Sequence, residues 1–168
     1  MATVTQTYSS NTTITMDLGS LPTSATWVAG TESAEIDNTT NKYVDALVQG
    51  KVKVGTTPTA NTTINIYVWG ADTSLGTTVI DTLDGTTSTE TLTNTGVLAS
   101  AVRLGAVISV LANTSDVTYN VAPFGVAQLF GGVMPKFWGL FVAHNTGVNL
   151  NATNSNLFSF NGIKFDVA

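Results

Sequence analysis

Alternation of apolar and polar side chains is cleanest over residues 62–70, TTINIYVWG. Ile64, Ile66 and Val68 fall on one face there, with Thr63, Asn65, Tyr67 and Trp69 on the other. That period of two predicts a β-strand. Residues 2–8 (ATVTQTY) and 12–18 (TTITMDL) read as shorter alternating strands, followed by a breaker at 18–24. Residues 25–30 and 33–37 read as a strand with a bend, and NTTN at 38–41 as a turn. A long strand is predicted over 42–54, passing Gly50, where a bulge or bend is expected. GTTPTAN at 55–61 is a loop.

Further strands are predicted over 76–83 and, after an exposed Thr-rich loop from Asp84 to about Thr95, over 101–112. The second of these is compatible with helix, but Gly105 and the β-branched Val102, Val107, Ile108 and Val110 favour strand. Residues 116–130 start as strand, and a helical turn ended by Gly131 is predicted within 124–132. After Pro135 comes a dense apolar strand, 134–145, and then a turn-rich stretch, 145–156. A closing strand over 157–168 is expected to bring Phe158, Phe160 and Phe165 near the core. About eight to ten strands and no long helix predict an all-β fold, either sandwich or barrel. No fixed-period repeat and no linker divide the chain, so one domain is expected. Residues 1–24 are read as an N-terminal arm or edge strands and 25–168 as a single sandwich domain.

Composition narrows the function classes. Charged residues make up 10% of the 168, against about 25% in ordinary domains. Hydrophobic residues are 43% and mean hydropathy is +0.23, which excludes a disordered chain. Net charge is −5, and Lys51 and Lys53 are the only close basic pair, so no nucleic-acid partner is expected. The absence of Cys excludes disulfides and thiolate metal sites. MATVTQTYSS lacks the charged and apolar regions of a secretory signal, and no run of 18 apolar residues predicts a membrane span.

Catalytic inventory is thin. His144 is the single imidazole, so any nucleophile–His–carboxylate arrangement would have to use it. Its place in AHNTG, where a strand enters a turn, favours a hydrogen-bonding role. Asp81 and Asp84 in DTLDG are too few for a Ca²⁺ loop and suit a turn at Asp84–Gly85. Glu32 with Glu35, or Asp72 with Asp81, are the formal carboxylate pairs for glycoside hydrolysis, but any chain with eleven acids offers such pairs. Gly131–Gly132 lacks the continuation of a phosphate loop, and the five N-x-[ST] triplets follow from a Thr- and Asn-rich composition. No catalytic, cofactor or metal residue is assigned, and no enzyme activity is expected. Trp27, Trp69 and Trp138, with Tyr43 and Tyr67, are candidates for stacking on sugars, Trp69 foremost because it lies on the polar side of its strand.

Sheet edges are normally protected by charge, and this chain has little. Its edges are therefore expected to be closed or covered by partners. Residues 2–15 look like a strand without a partner inside the chain. Thr3, Val4, Thr5 and Ile14 are the candidate contacts to another subunit or surface. Removing that segment is expected to leave the sandwich folded.

Three stretches, KYVDALVQGKVKVGTTPTANTTINIYVWG (42–70), RLGAVISVLANTSDVTYNVAPFGVAQLFGGVMPKFWGLFVAHNTG (103–147) and FSFNGIKFDVA (158–168), carry a resemblance. In strand-and-turn order they resemble the small jelly-roll decoration, or cement, proteins of tailed-bacteriophage capsids. That resemblance implies an eight-stranded jelly roll made in the host cytoplasm and mounted on the outer capsid surface of the virion. It implies a homotrimer bound to the major capsid protein, with no catalytic residues. The alternative is a carbohydrate-binding or receptor-binding β-sandwich module of a phage head or tail fibre.

Overall fold

The structure, a computed structural model, describes residues 2–77 and 79–167. Eleven strands form in chain order: β1 (Val4–Tyr8), β2 (Thr12–Ile14), β3 (Ala29–Glu32), β4 (Ile36–Asp37), β5 (Asp45–Lys53), β6 (Thr62–Ala71), β7 (Ser88–Thr91), β8 (Arg103–Val110), β9 (Thr118–Gly125), β10 (Phe137–His144) and β11 (Phe158–Val167). One short helix, α1 (Thr95–Ala101), precedes β8, and a 3₁₀ turn (Ala127–Phe130) follows β9.

The first sheet runs β1–β11–β5–β9, with β2 also on β11. The second runs β7–β3–β10–β6–β8, with β4 also on β10. Every pairing is antiparallel. Taking β1 with β2 and β3 with β4 as bent single strands, and setting β7 aside, leaves eight. Their order is first–eighth–third–sixth in one sheet and second–seventh–fourth–fifth in the other. That is the double Greek key of a jelly roll, so the fold is an all-β jelly-roll sandwich.

Period-two alternation selects the core. Ile64, Ile66 and Val68 of β6 point between the sheets and meet Ala46, Val48 and Val52 of β5 and Phe158 and Phe160 of β11. Gly50 sits at a register shift in the β5–β9 ladder, as its place in the sequence predicts. A Cβ there would lie 2.6 Å from the Phe158 ring, so the glycine makes room for the aromatic. Gly131, at φ 71°, ends the 3₁₀ turn as expected.

A second apolar cluster lies on the outer face of the second sheet. Tyr67 and Trp69 of β6 and Phe141 and Ala143 of β10 are covered there by Leu75, Leu83, Leu92, Leu98 and Val102. The described residues between β6 and β8, 72–77 and 79–102, thus fold back as a lid, and the stretches of β6 and β10 beneath it are buried on both faces.

Several expectations are corrected. Among the described residues, 76–77 and 79–83 do not form a strand. Only an isolated bridge joins Ile80 to Leu83, with Asp81 at φ 57° between them. Part of the predicted Thr-rich loop is ordered as β7, paired with β3, and α1 begins at its end. Asn94 caps that helix by accepting from the Gly96 and Val97 N–H groups. Phe165 is exposed, unlike Phe158 and Phe160.

The N-terminal segment is not unpaired. β1 pairs with β11 from Val4↔Val167 to Tyr8↔Ile163, and β2 pairs with β11 at Phe158–Phe160. Ile14, Met16, Leu18 and Leu21 belong to the main core. The arm reading therefore fits β1 alone, and residues 12–21 are integral to the sandwich.

Candidate interaction surface

The polar groups singled out in the sequence hold the fold. His144 is fully buried at the end of β10. Its Nε2 lies 3.0 Å from the Leu21 carbonyl and its Nδ1 lies 2.9 Å from Thr146 Oγ1. With Nε2–H donating to the carbonyl, the ring fastens the Leu21 segment to β10 and meets no carboxylate. Burial lowers its pKa below 6.5, opposed by the bond to Leu21, so the ring is neutral at pH 7.

Glu32 and Glu35 fasten the lid. The Glu32 carboxylate accepts from the Asp84 and Gly85 N–H groups, each at 3.0 Å. The Glu35 carboxylate accepts from Ser74 Oγ and Leu75 N–H, each at 2.7 Å. Burial pushes Glu32 up to about 7, with the two N–H donors pulling it down and Asp84 and Glu90 adding to the rise. Asp81 accepts from Thr93, and Asp84 from Thr86, as turn residues do. Asp72 pairs with Lys136 at 2.8 Å on the surface. Among the described residues, no three His, Asp or Glu side chains gather as a metal site.

The sugar platform is corrected. Trp69 is 0% exposed and Trp138 1%. Trp69 lies under the lid against Gly139, where a Cβ would sit 2.5 Å from its ring. Trp138 points into the main core, edge-on to Phe160 at 5.2 Å. Of the three tryptophans Trp27 alone keeps partial exposure; Tyr67 is buried and Tyr43 is half-buried. The polar side of β6 reads as a solvent face in the sequence because the lid that covers it comes from a distant segment.

The surface that stands out is a ribbon made by the two ends of the chain. β5 pairs with β11 only as far as Ile163, beyond which β11 is held by β1 alone. Side-chain sense changes along β11. Phe158 and Phe160 face the core, whereas Ile163, Phe165 and Val167 occupy the opposite face. The register puts Val4, Gln6 and Tyr8 on that outward face with them, Gln6 opposite Phe165 and donating from its Nε2 to the Tyr8 hydroxyl at 2.8 Å. Val4 is 63% exposed, Tyr8 58%, Phe165 56% and Val167 70%. Thr5, Thr7, Lys164 and Asp166 form the other face, tied by Thr7 Oγ1 donating to Asp166 at 2.8 Å and by a Lys164–Asp166 ion pair at 3.3 Å. The apolar side of this ribbon is thus turned to solvent.

Of the predicted contact residues, Thr3, Val4 and Thr5 are exposed in or beside the ribbon. Ile14 is 1% exposed and is withdrawn as a contact, because it packs in the core. Phe165 and Val167 are the surface residues the sequence reading missed. Their signal was Lys164 and Asp166 falling in phase with Phe158 and Phe160. No family model matches the chain, and no curated protein or solved structure matches it.

Proposed function

We propose that the protein is a decoration protein of a tailed-phage capsid, docking on the outer surface of the head shell through the apolar face of the terminal ribbon. Its work is mechanical. It buries surface across neighbouring copies of the major capsid protein and so resists separation of the shell. The observation that carries this reading is the outward apolar ribbon. A two-stranded ribbon is marginal alone in water, and an exposed face of four large apolar side chains and Tyr8 around a single glutamine, on a low-charge protein, suits a permanent partner. The jelly-roll resemblance supplies the kind of partner. Burial of Trp69 and Trp138 takes two of three rings from the carbohydrate-binding alternative.

The test mixes the protein with undecorated particles and counts bound copies. Phe165→Ser with Val167→Ser is expected to weaken binding by about 10- to 100-fold, or roughly 1.4–2.8 kcal/mol. Unchanged occupancy overturns the ribbon's role, and no binding by the unaltered protein overturns the capsid reading. Quenching of Trp fluorescence by glycans would favour the alternative.

A further inference from the structure

The two sheets end in four outer strands, β1 and β9 in the first and β7 and β8 in the second. Open edges invite pairing unless something blunts them. β7 is four residues long and carries Glu90. β9 carries Pro123, which removes a backbone donor from mid-strand. The other two edges lack such protection. β1, VTQTY, holds no charge and no proline. β8, RLGAVISV, holds no proline and no lysine. Its one charge, Arg103, is folded back onto the end of α1, where Nη1 donates to the Ser100 and Val102 carbonyls, each at 3.1 Å.

Among the described residues, the backbone bonds of β8 run to β6 alone. Leu104, Val107 and, just past the strand, Leu111 are exposed along it. Gly105 sits at a register shift and seats the Phe124 ring, where a Cβ would lie 2.6 Å away. Between this part of β8 and β9 runs a groove of about 410 Å³, lined from Gly105 to Ser109 and from Asn120 to Phe124 without an ionisable group.

We propose that β1 of one copy adds to the open edge of β8 in a second copy, so that the ribbon of the first extends the second sheet of the other. These are the two unprotected edges of the molecule, and joining them satisfies both. Neither brings a charge to be desolvated. Five residues of β1 span about 17 Å and fit along the eight of β8. Because the two edges differ, the contact is head-to-tail rather than a two-fold pair, and a rotation that closes makes it a ring. Pairing uses the rim of the ribbon and leaves its apolar face free.

The chain has no cysteine, so introduced thiols report contacts directly. Thr5→Cys and Gln6→Cys sample both faces of β1, and Ala106→Cys and Val107→Cys both faces of β8. Mixing a β1 variant with a β8 variant under mild oxidation is expected to give a disulfide-linked dimer that neither gives alone. Dimers from a β1 variant alone, from a β8 variant alone, or from no mixture at all overturn the proposal. In light scattering the unaltered protein is expected to be a closed oligomer. Val107→Lys, at an exposed position, is expected to weaken association about tenfold or more while circular dichroism keeps the strand spectrum of the folded chain. A monomeric unaltered protein, or a Val107→Lys oligomer of equal strength, also overturns it. No capsid enters these measurements, so their failure is distinct from failure of the capsid reading.

Discussion

Glu32→Gln tests how the lid over the second sheet is held. The Glu32 carboxylate has no exposed surface and accepts two consecutive N–H groups. Burial outweighs those donors and raises its pKa from 4.5 to about 7. The folded state therefore binds more protons than the unfolded state between those values. Stability is then fully present below pH 4.5 and falls as pH rises towards 7. At 1.36 kcal/mol per pH unit, the whole excursion amounts to about 3 kcal/mol. A glutamine keeps the shape but does not titrate. It also turns one acceptor into a donor facing an N–H, a pH-independent loss of about 1–3 kcal/mol.

The assay is urea unfolding of both proteins at steps from pH 4 to 8.5. Asp37, Asp84 and Asp166, whose pKa values are lowered mainly by bonds from Thr39, Thr86 and Thr7, are present in both and cancel in the difference. The advantage of the unaltered protein over the Glu32→Gln variant is expected to shrink by about 3 kcal/mol between pH 4.5 and 7.5. A difference that stays flat, or widens with pH, refutes the reasoning. Widening would mean that the paired N–H groups stabilise the ionised form more than burial disfavours it.

Ile14→Ala is expected to cost about 2–5 kcal/mol in urea unfolding, as for a core residue, whereas Val4→Ala stays within about 0.5 kcal/mol. By the same reasoning, deleting residues 2–8 should leave a cooperative melt and deleting 2–15 should abolish it, which circular dichroism distinguishes. His144 should titrate below the ordinary imidazole range in proton NMR, because burial disfavours its charged form. Its depressed pKa withdraws stability as pH falls below 6.5, the opposite sense to Glu32. Melting with EDTA and with added Ca²⁺ should agree within about 5 °C; a larger rise with Ca²⁺ would reveal an oxygen-ligand site.

Where a segment's own alternation decided its fate, the sequence was readable. The inward face of β6, the shift at Gly50 and the turn ended by Gly131 all follow from local pattern. Residues 72–102 were not readable, because their structure depends on what they cover. Leu75, Leu83, Leu92 and Leu98 are spaced too irregularly to announce strand or helix, and they order by packing on Trp69 and Phe141. Missing the lid led directly to reading Trp69 as a surface ring. Residues 158–167 misled for another reason. A strand that leaves the core partway, with its apolar residues moving to the outward face, looks continuous in sequence, so Phe165 was grouped with Phe158 and Phe160.

The lid also bears on which side of the sandwich meets a partner. Closed over β6 and β10, it leaves the second sheet an outer strand surface mainly at its β8 and β7 edges, whereas the outer surface of the first is open along β5 and β11. Asp45, Leu47, Gln49, Lys51 and Lys53 of β5 and Ser159 and Asn161 of β11 lie on that surface, none fully buried. The apolar face of the ribbon continues it through Ile163, which pairs with both Tyr8 and Asp45. A partner touching the ribbon from its apolar side must therefore approach the first sheet. The second sheet, buried on both faces along β6 and β10, then lies behind it, and its open β8 edge remains at the flank. A single approach direction thus leaves the ribbon's face for a partner and its rim for pairing with another strand edge, so one contact need not displace the other.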